Sequence, residues 1–450
     1  MKPYGRARAE VSRAFAQGDV RVAVYGLGKM GLPLAACFAQ AGARVTGVDV
    51  DRAVVKAVAA GRCHVAGEPG LPEAVASAVR EGTLTATTDG VAAARAADVH
   101  VILVPTLLTP RKRPDLRAVE AVAKTIARGI EPGSLVVQES TLPPGTTDGP
   151  LVSWLSDKRA RPGRDVGLAF CPERTASGRA LRDITESYPK VVGGLDEASA
   201  EAAAGIYEVV NKKGVLVVSS ARVAEAVKVF EGVYRDVNIA LANELAAYCE
   251  GIGIDAMEAI RAANTQPYSH LHTPGAGVGG HCIPVYPYFV MGRTPTPLLA
   301  TARKVNDAMP AHAVLLLKEG LARHGRTLRG AKILLLGLAY RGGVAETRYS
   351  PGVRIGRILK ASGARLSVHD PAVGPTAELR APRGKPQEGG WDGIVVATDH
   401  AEYGALDWPG VVARMRTPVV VDGRRVVPQD AVRAAGGSYY AVGLPREAGP

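Results

Sequence analysis

The sequence is poor in the features that mark most specialised chain types. Only 5% of its residues are aromatic, too few to supply a stacking platform for single-stranded nucleic acid. Its 5 cysteines, at 37, 63, 171, 249 and 282, form no C-x-x-C pair. That spacing supports neither a disulfide framework nor a zinc site, and it fits a reducing compartment. No apolar run approaches the roughly 18 residues of a membrane span. Residues 1–19 are polar and basic and lack the apolar stretch of a secretory signal. The longest basic run is Arg111-Lys112-Arg113, and no repeat or low-complexity tract stands out. The expectation is a cytoplasmic protein with no metal, membrane or nucleic-acid partner.

What is present is a globular chain with a basic tilt. Its 450 residues correspond to about three units at roughly 150 residues each. With 47% apolar and 22% charged residues, disorder is excluded as the main state. The 55 Lys and Arg against 43 Asp and Glu leave a net charge of +12. These charges are scattered, so a small polyanionic ligand suits them better than a nucleic acid.

The hydrophobic pattern alternates. Arg21-Val22-Ala23-Val24-Tyr25 reads as a buried strand, 32–42 as a helix and 43–49 as a second strand. Residues 99–104 and 134–137 read as further strands. From 221 to about 251 apolar residues recur at helical spacing without proline, which predicts one long helix. A second helix starts after Asp255, a plausible N-cap. Residues 273–287 are glycine-rich and read as a loop. After Pro310 the alternation returns, with strands at 331–338, 364–369, 394–398 and 418–422 and a helix at 351–362. The expected fold class is α/β: two Rossmann-like parallel-sheet domains joined by a long central helix. The expected division is an N-terminal extension 1–20, a dinucleotide-binding Rossmann domain 21–205, a central helical domain 206–310 and a second Rossmann-like domain 311–450.

Two segments carry chemistry. Gly26-Leu27-Gly28-Lys29-Met30-Gly31 follows a strand and opens a helix, the context in which glycines let backbone approach a pyrophosphate. Asp49 ends the next strand, where a carboxylate accepts ribose hydroxyls and repels a 2′-phosphate, so NAD is favoured as cofactor over NADP. Arg52 nearby leaves NADP open, and a plain βα turn is the bland alternative. The second segment is Gly275-Ala276-Gly277-Val278-Gly279-Gly280-His281-Cys282. Cys282 could attack an aldehyde, and His281, if protonated and turned toward it, would favour the thiolate. The bland alternative is a small buried cysteine. Lys228 lies in the long helix with Gly232 and Arg235 on the same face. An inward lysine could steady an alkoxide, although a helix lysine is more often a solvated charge.

Taken with Glu139-Ser140-Thr141-Leu142-Pro143-Pro144-Gly145-Thr146-Thr147, Cys171-Pro172-Glu173-Arg174-Thr175, Tyr234-Arg235-Asp236-Val237-Asn238 and Leu338-Ala339-Tyr340-Arg341-Gly342, these motifs carry a resemblance. From about Val22 to about Arg425 the chain resembles the nucleotide-sugar dehydrogenases that oxidise a UDP-hexose to its uronic acid. Within them it is most similar to the UDP-N-acetylmannosamine and UDP-N-acetylglucosamine branch. The resemblance implies Cys282 as nucleophile, Lys228 steadying the oxyanion, and Thr141 and Glu173 holding or activating water. It implies NAD contacts from Gly26, Gly28, Lys29, Met30, Gly31, Asp49, Pro105, Thr106 and Thr141. For the nucleotide sugar it implies Glu173, Arg174, Lys228, Arg235, Gly275, Gly279, Tyr340, Arg341 and Arg348, with Arg424 and Arg425. It also implies a homodimer.

Four positions depart from the resemblance. Gly232 stands where the family has Asn, Tyr286 where it has Asp, and Arg341 where it has Lys; Tyr349 also interrupts the usual Thr-Arg-Glu-Ser-Pro. Losing one transition-state donor costs about 2.7–4 kcal/mol. Three readings follow. The first is two-step oxidation of a nucleotide sugar at C6 to the uronate. The second is a redirected enzyme, acting on another nucleotide-linked alcohol or stopping at the aldehyde, in a specialised pathway. The third is a non-catalytic paralogue that binds a sugar nucleotide.

Overall fold

The β-branched run Arg21–Tyr25 is a strand buried at all but its first residue. It pairs in parallel with Arg44–Val48 on one side and Val99–Ile102 on the other. The coordinates are a computed structural model that describes residues 1–292 and 294–446. The last four residues of the expected second Rossmann-like domain, 447–450, lie outside the described residues. The chain divides into two units, residues 1–231 with 288–290, and residues 232–287 with 291–450.

The first unit holds an 8-stranded sheet. Its spatial order is Val215–Val218, Lys190–Gly194, Gly167–Phe170, Leu135–Gln138, Val99–Ile102, Arg21–Tyr25, Arg44–Val48 and Leu84–Thr87. Val99–Ile102, Leu135–Gln138 and Gly167–Phe170 are buried throughout, as expected of a sheet covered on both faces. One pairing in the otherwise parallel sheet runs the other way: Gly167–Phe170 is antiparallel to Lys190–Gly194. A parallel neighbour needs a crossover, usually a full helix. The 171–189 connection offers only the short turns Ala180–Arg182 and Asp183–Ser187, so the chain returns reversed. The expected polar extension also folds: Arg8–Ala16 is a helix that buries Val11, Ala14 and Phe15. The Phe15 ring meets Phe38 edge-on at 5.6 Å.

The second unit holds a 5-stranded, wholly parallel sheet. Its order is Arg365–His369, Lys332–Leu336, Gly393–Val396, Val419–Asp422 and Ser438–Ala441. The helix Pro351–Ala361 lies close to its prediction and starts at a Ser350 cap. The helix Pro297–Arg323, in contrast, continues through Pro310, where the sequence pattern shows a break. Burial of Asn306, Met309, Ala313, Val314 and Leu317 along this helix outweighs the hydrogen bond that Pro310 cannot make.

The predicted long helix is the 32-residue Ala221–Ile252, which begins among first-unit residues and ends among second-unit residues. The next helix, Ala256–Ala263, starts at Asp255, whose carboxylate accepts from the Met257 amide. No helix among the described residues is long and apolar enough to cross a membrane.

Candidate active site

In the first unit the glycine turn is built as the fingerprint requires. Gly26 has φ +97°, and a Cβ there would stand 2.3 Å from the Leu103 carbonyl oxygen. A Cβ on Gly31 would stand 1.8 Å from the Gly26 oxygen, so both are fixed by internal packing. Gly28 is different: its φ is not in the left-handed region and a Cβ would meet nothing within 4 Å. No steric demand of the protein explains glycine there, and the open space beside it leaves room for a ligand. The helix Gly31–Gln40 opens with no side-chain cap, leaving amides for an anion. Asp49 accepts from the Leu27 amide at 2.8 Å and the Asp51 amide at 2.9 Å and remains half-buried. Lys29 is exposed on the turn and Met30 half-buried beside it. These residues fit an NAD diphosphate and ribose.

Around the ends of the same sheet lie the expected acid–base groups. The Thr106 hydroxyl donates to the Thr141 carbonyl at 2.8 Å, bringing that pair together; Pro105 beside it is exposed. The Lys228 ammonium is buried and lies 3.8 Å from a Glu173 oxygen. The other Glu173 oxygen takes the amide and hydroxyl of Thr175. Arg174 donates to Glu231 at 2.7 Å and lies over the Tyr188 ring at 4.8 Å. A cleft is lined by Met30, Leu34, Glu139, Glu173, Lys190 and Tyr207, among others.

The cleft contains a cluster that pattern reading missed. Glu139 is fully buried, 2.9 Å from the Lys190 ammonium and hydrogen-bonded by the Tyr207 hydroxyl. Burial pushes its carboxyl above the usual range, against the pull of Lys190. Glu225 is likewise buried and clamps the turn after Thr141. It accepts from the Gly145 amide at 2.5 Å, the Thr147 amide at 2.8 Å and the Thr147 hydroxyl at 2.6 Å. Burial nonetheless raises Glu225 to about 7.

In the second unit the glycine loop is held from several sides. Asn243 accepts the Gly275 amide at 2.9 Å and donates to Asn306 at 2.9 Å. The Gly280 amide donates to the Arg348 carbonyl at 2.9 Å. Tyr340 packs on the loop so closely that a Cβ on Gly279 or Gly280 would stand 2.7 or 2.9 Å from it. Burial raises the Tyr340 hydroxyl, with Arg341, Cys282, Glu346 and Arg235 as its ionisable neighbours. Arg424 is half-buried beneath the loop and donates to the Gly277 carbonyl at 3.4 Å and the Ala397 carbonyl at 3.2 Å. Arg425 is taken up by Asp255 in a two-pronged pair at 3.1 and 2.6 Å. Arg235, Arg341 and Arg348 have exposed side chains.

Cys282 is exposed. One expectation is corrected here: His281 turns to Glu346, its Nε2 lying 3.1 Å from that carboxylate. The group that meets the Cys282 sulfur is Tyr286, whose hydroxyl donates to it at 3.2 Å. The Tyr286 ring in turn fills the space beside Gly232.

With this geometry in place, comparison with known proteins is direct. Residues 20–211 match the NAD binding domain of the UDP-glucose/GDP-mannose dehydrogenase family, 222–308 its central domain and 334–429 its UDP binding domain. The chain is 37% identical to the UDP-N-acetyl-D-mannosamine dehydrogenase of Pyrococcus horikoshii, across 92% of this chain and 97% of the relative. It is 36% identical to the NDP-N-acetyl-D-galactosaminuronic acid dehydrogenase of Ralstonia solanacearum, across 90% and 95%. The solved UDP-D-ManNAc dehydrogenase of P. horikoshii superposes with a TM-score of 0.87 at 35% identity, covering 94% of this chain and 99% of that one. The class is thus that of NAD-dependent nucleotide-sugar dehydrogenases. Within it, the chain belongs to the UDP-glucose/GDP-mannose dehydrogenase family.

Proposed function

We propose that the protein oxidises the C6 primary alcohol of a nucleotide-linked hexose or N-acetylhexosamine to the uronic acid, with Cys282 as nucleophile. The observation that carries this reading is the contrast among the thiols. Cys37, Cys171 and Cys249 are buried and Cys63 half-buried, whereas Cys282 is exposed in a glycine loop. Burial pushes the Cys37 thiol up to about 12 and raises Cys171 and Cys63 as well. The named relatives act on N-acetylated amino sugars, which favours an N-acetylhexosamine substrate.

NAD, which Gly26, Gly28, Gly31 and Asp49 would hold, would supply the hydride acceptor, one molecule for each of the two successive oxidations. Lys228 balances the negative charge that grows on the substrate oxygen as its proton leaves. The Cys282 sulfur bonds to the aldehyde carbon as the carbonyl electron pair moves to oxygen. It holds that carbon through the second oxidation as a thioester. Water, positioned by Thr141 and Glu173, then adds to the carbon, and the sulfur leaves as thiolate. Arg348 and Arg424 serve the nucleotide-sugar end in this reading, with 21–205, 206–310 and 311–450 as its NAD, central and nucleotide-sugar parts.

A homodimer belongs to the same reading. Tyr234, Leu241, Tyr248 and Ile252 stand exposed along one helix at helical spacing, a stripe that a second copy would cover. Light scattering on the purified protein should give twice the chain mass. A cytoplasmic setting is consistent with five unpaired cysteines.

The test is to follow NADH with UDP-N-acetylmannosamine, UDP-N-acetylglucosamine, UDP-N-acetylgalactosamine, UDP-glucose and GDP-mannose. Two NADH per product and a uronate mass are expected. One NADH and an aldehyde mass would favour a redirected enzyme, the reading to which the Gly232 and Tyr286 departures point. No NADH from folded protein with any sugar would overturn the proposal.

A further inference from the structure

The two main departures of the sequence meet each other in the second unit. A Cβ built on Gly232 would stand 2.4 Å from Tyr286 Cδ2 and 3.2 Å from its Cβ and Cγ. Real Cβ atoms do not approach a ring that closely, and the atoms met lie at the ring's near edge and root. The ring cannot swing aside cheaply. Tyr286 is buried, and its own amide donates to the Cys282 carbonyl at 2.9 Å, so its root is fixed relative to the cysteine. Glycine inside a long helix costs about 1 kcal/mol relative to alanine. Gly232 lies well inside Ala221–Ile252 and its φ is not left-handed, so the backbone does not explain its presence. Room for the Tyr286 ring does. With the ring seated there, the hydroxyl reaches the Cys282 sulfur at 3.2 Å.

We infer that Gly232 and Tyr286 form one device, in which the glycine admits the ring and the Tyr286 hydroxyl donates to the nucleophilic sulfur of Cys282. The inference rests on the reading of Cys282 as the nucleophile. A neutral O–H aimed at sulfur stabilises a thiolate more than a thiol. The bond also fixes the direction from which the sulfur meets the aldehyde carbon. It also helps the sulfur depart as thiolate when the thioester is hydrolysed. Tyr286 is then a positioning residue that acts through the Cys282 sulfur.

The experiment is iodoacetamide alkylation of Cys282 in the full-length protein, followed by mass spectrometry across pH 5 to 10, with Cys282→Ser as blank. Tyr286→Phe keeps the ring and removes only the hydroxyl. Its alkylation midpoint should rise by about one pH unit. In steady state, kcat should fall about tenfold with little change in KM for the nucleotide sugar. An unmoved midpoint would overturn the role of the hydroxyl. Gly232→Ala should displace the ring and shift the midpoint the same way in the natural protein. It should shift nothing further once Tyr286 is alanine. Equal effects of Gly232→Ala in both backgrounds would overturn the coupling. Alkylation needs no substrate, so the two readings separate. A shifted midpoint in a protein that never reduces NAD would sustain the Tyr286–Cys282 bond and remove the proposed reaction.

Discussion

The two α/β units use the same turn for opposite ends. In the first, Gly26 has φ +97° and a Cβ on Gly31 would strike the Gly26 oxygen at 1.8 Å. In the second, Gly337 has φ +100° and a Cβ on Gly352 would strike the Gly337 oxygen at 2.1 Å. Each unit also ends its neighbouring strand in an aspartate that accepts the amide after the first glycine: Asp49 from Leu27, Asp370 from Leu338. The difference lies in what is left over. Asp49 is half-buried and, among the described residues, bonded only by amides of the glycine turn and of its own strand end. Asp370 is buried and also takes the Ala339 amide and His400 Nε2. Only residues 27–30 separate the paired glycines in the first unit, against 338–351 in the second. One framework therefore offers a carboxylate and a bare helix end to a dinucleotide. The other closes the same position upon itself and gives the room to a long loop.

The comparison can be broken most sharply at the paired glycines. Gly31→Ala and Gly352→Ala should each cost about 3 kcal/mol of stability in urea unfolding, because both force a Cβ into a carbonyl. A neutral Gly352→Ala would end the parallel. The aspartates should then part company. Asp370→Asn should lose about 2 kcal/mol, since a buried acceptor of several donors cannot be replaced by an amide without leaving groups unpaired. Burial opposes ionisation of Asp370, but His400 and the amides of Ala339, Leu338 and Ala372 outweigh it and hold its carboxyl down to about 2. Its folded value is depressed, so its contribution is present above about pH 4 and lost as pH falls toward 2. Acid unfolding of Asp370→Asn should be less steep over that window.

Glu225 of the first unit should behave with the opposite sign. Its folded carboxyl is raised to about 7, so the folded state holds a proton that the unfolded chain has released. Stability should fall as pH rises from about 4.5 to 7, with a slope of at most about 1.4 kcal/mol per pH unit. Glu225→Gln should flatten that slope in thermal melts across the window. The smallest effect on folding belongs to Asp49. Asp49→Asn should change stability by less than about 0.5 kcal/mol, while weakening NAD binding about tenfold in calorimetry. A large stability loss there would make the aspartate structural and erase the contrast with Asp370.

The sequence made the backbone framework legible wherever a local rule acts. Gly26 to Gly31, Asp49, the Asp255 cap and the long helix follow from turn sterics, strand ends and helical spacing. Three kinds of feature were hidden. Pro310 marks a break by local preference, yet the buried face of Pro297–Arg323 carries the helix through it. The helix Arg8–Ala16 shows only Val11, Ala14 and Phe15 as an apolar stripe, too brief to stand out in a polar segment. Glu139, Lys190 and Tyr207 come from three distant segments, and only the sheet brings them together. His281 shows the limit of adjacency. Standing next to Cys282 in the chain did not decide which way its ring would turn, and Glu346 did.

The overlap at Gly232 also makes two positions answer to one volume. A tyrosine at 286 cannot enter its present seat while position 232 carries any side chain, because the ring and that Cβ claim the same space. A glycine at 232, by contrast, leaves that space open. The two positions therefore share one volume and are constrained together. A side chain fits at 232 only where the ring at 286 has gone or moved, so a residue outside the long helix sets what a position inside it tolerates.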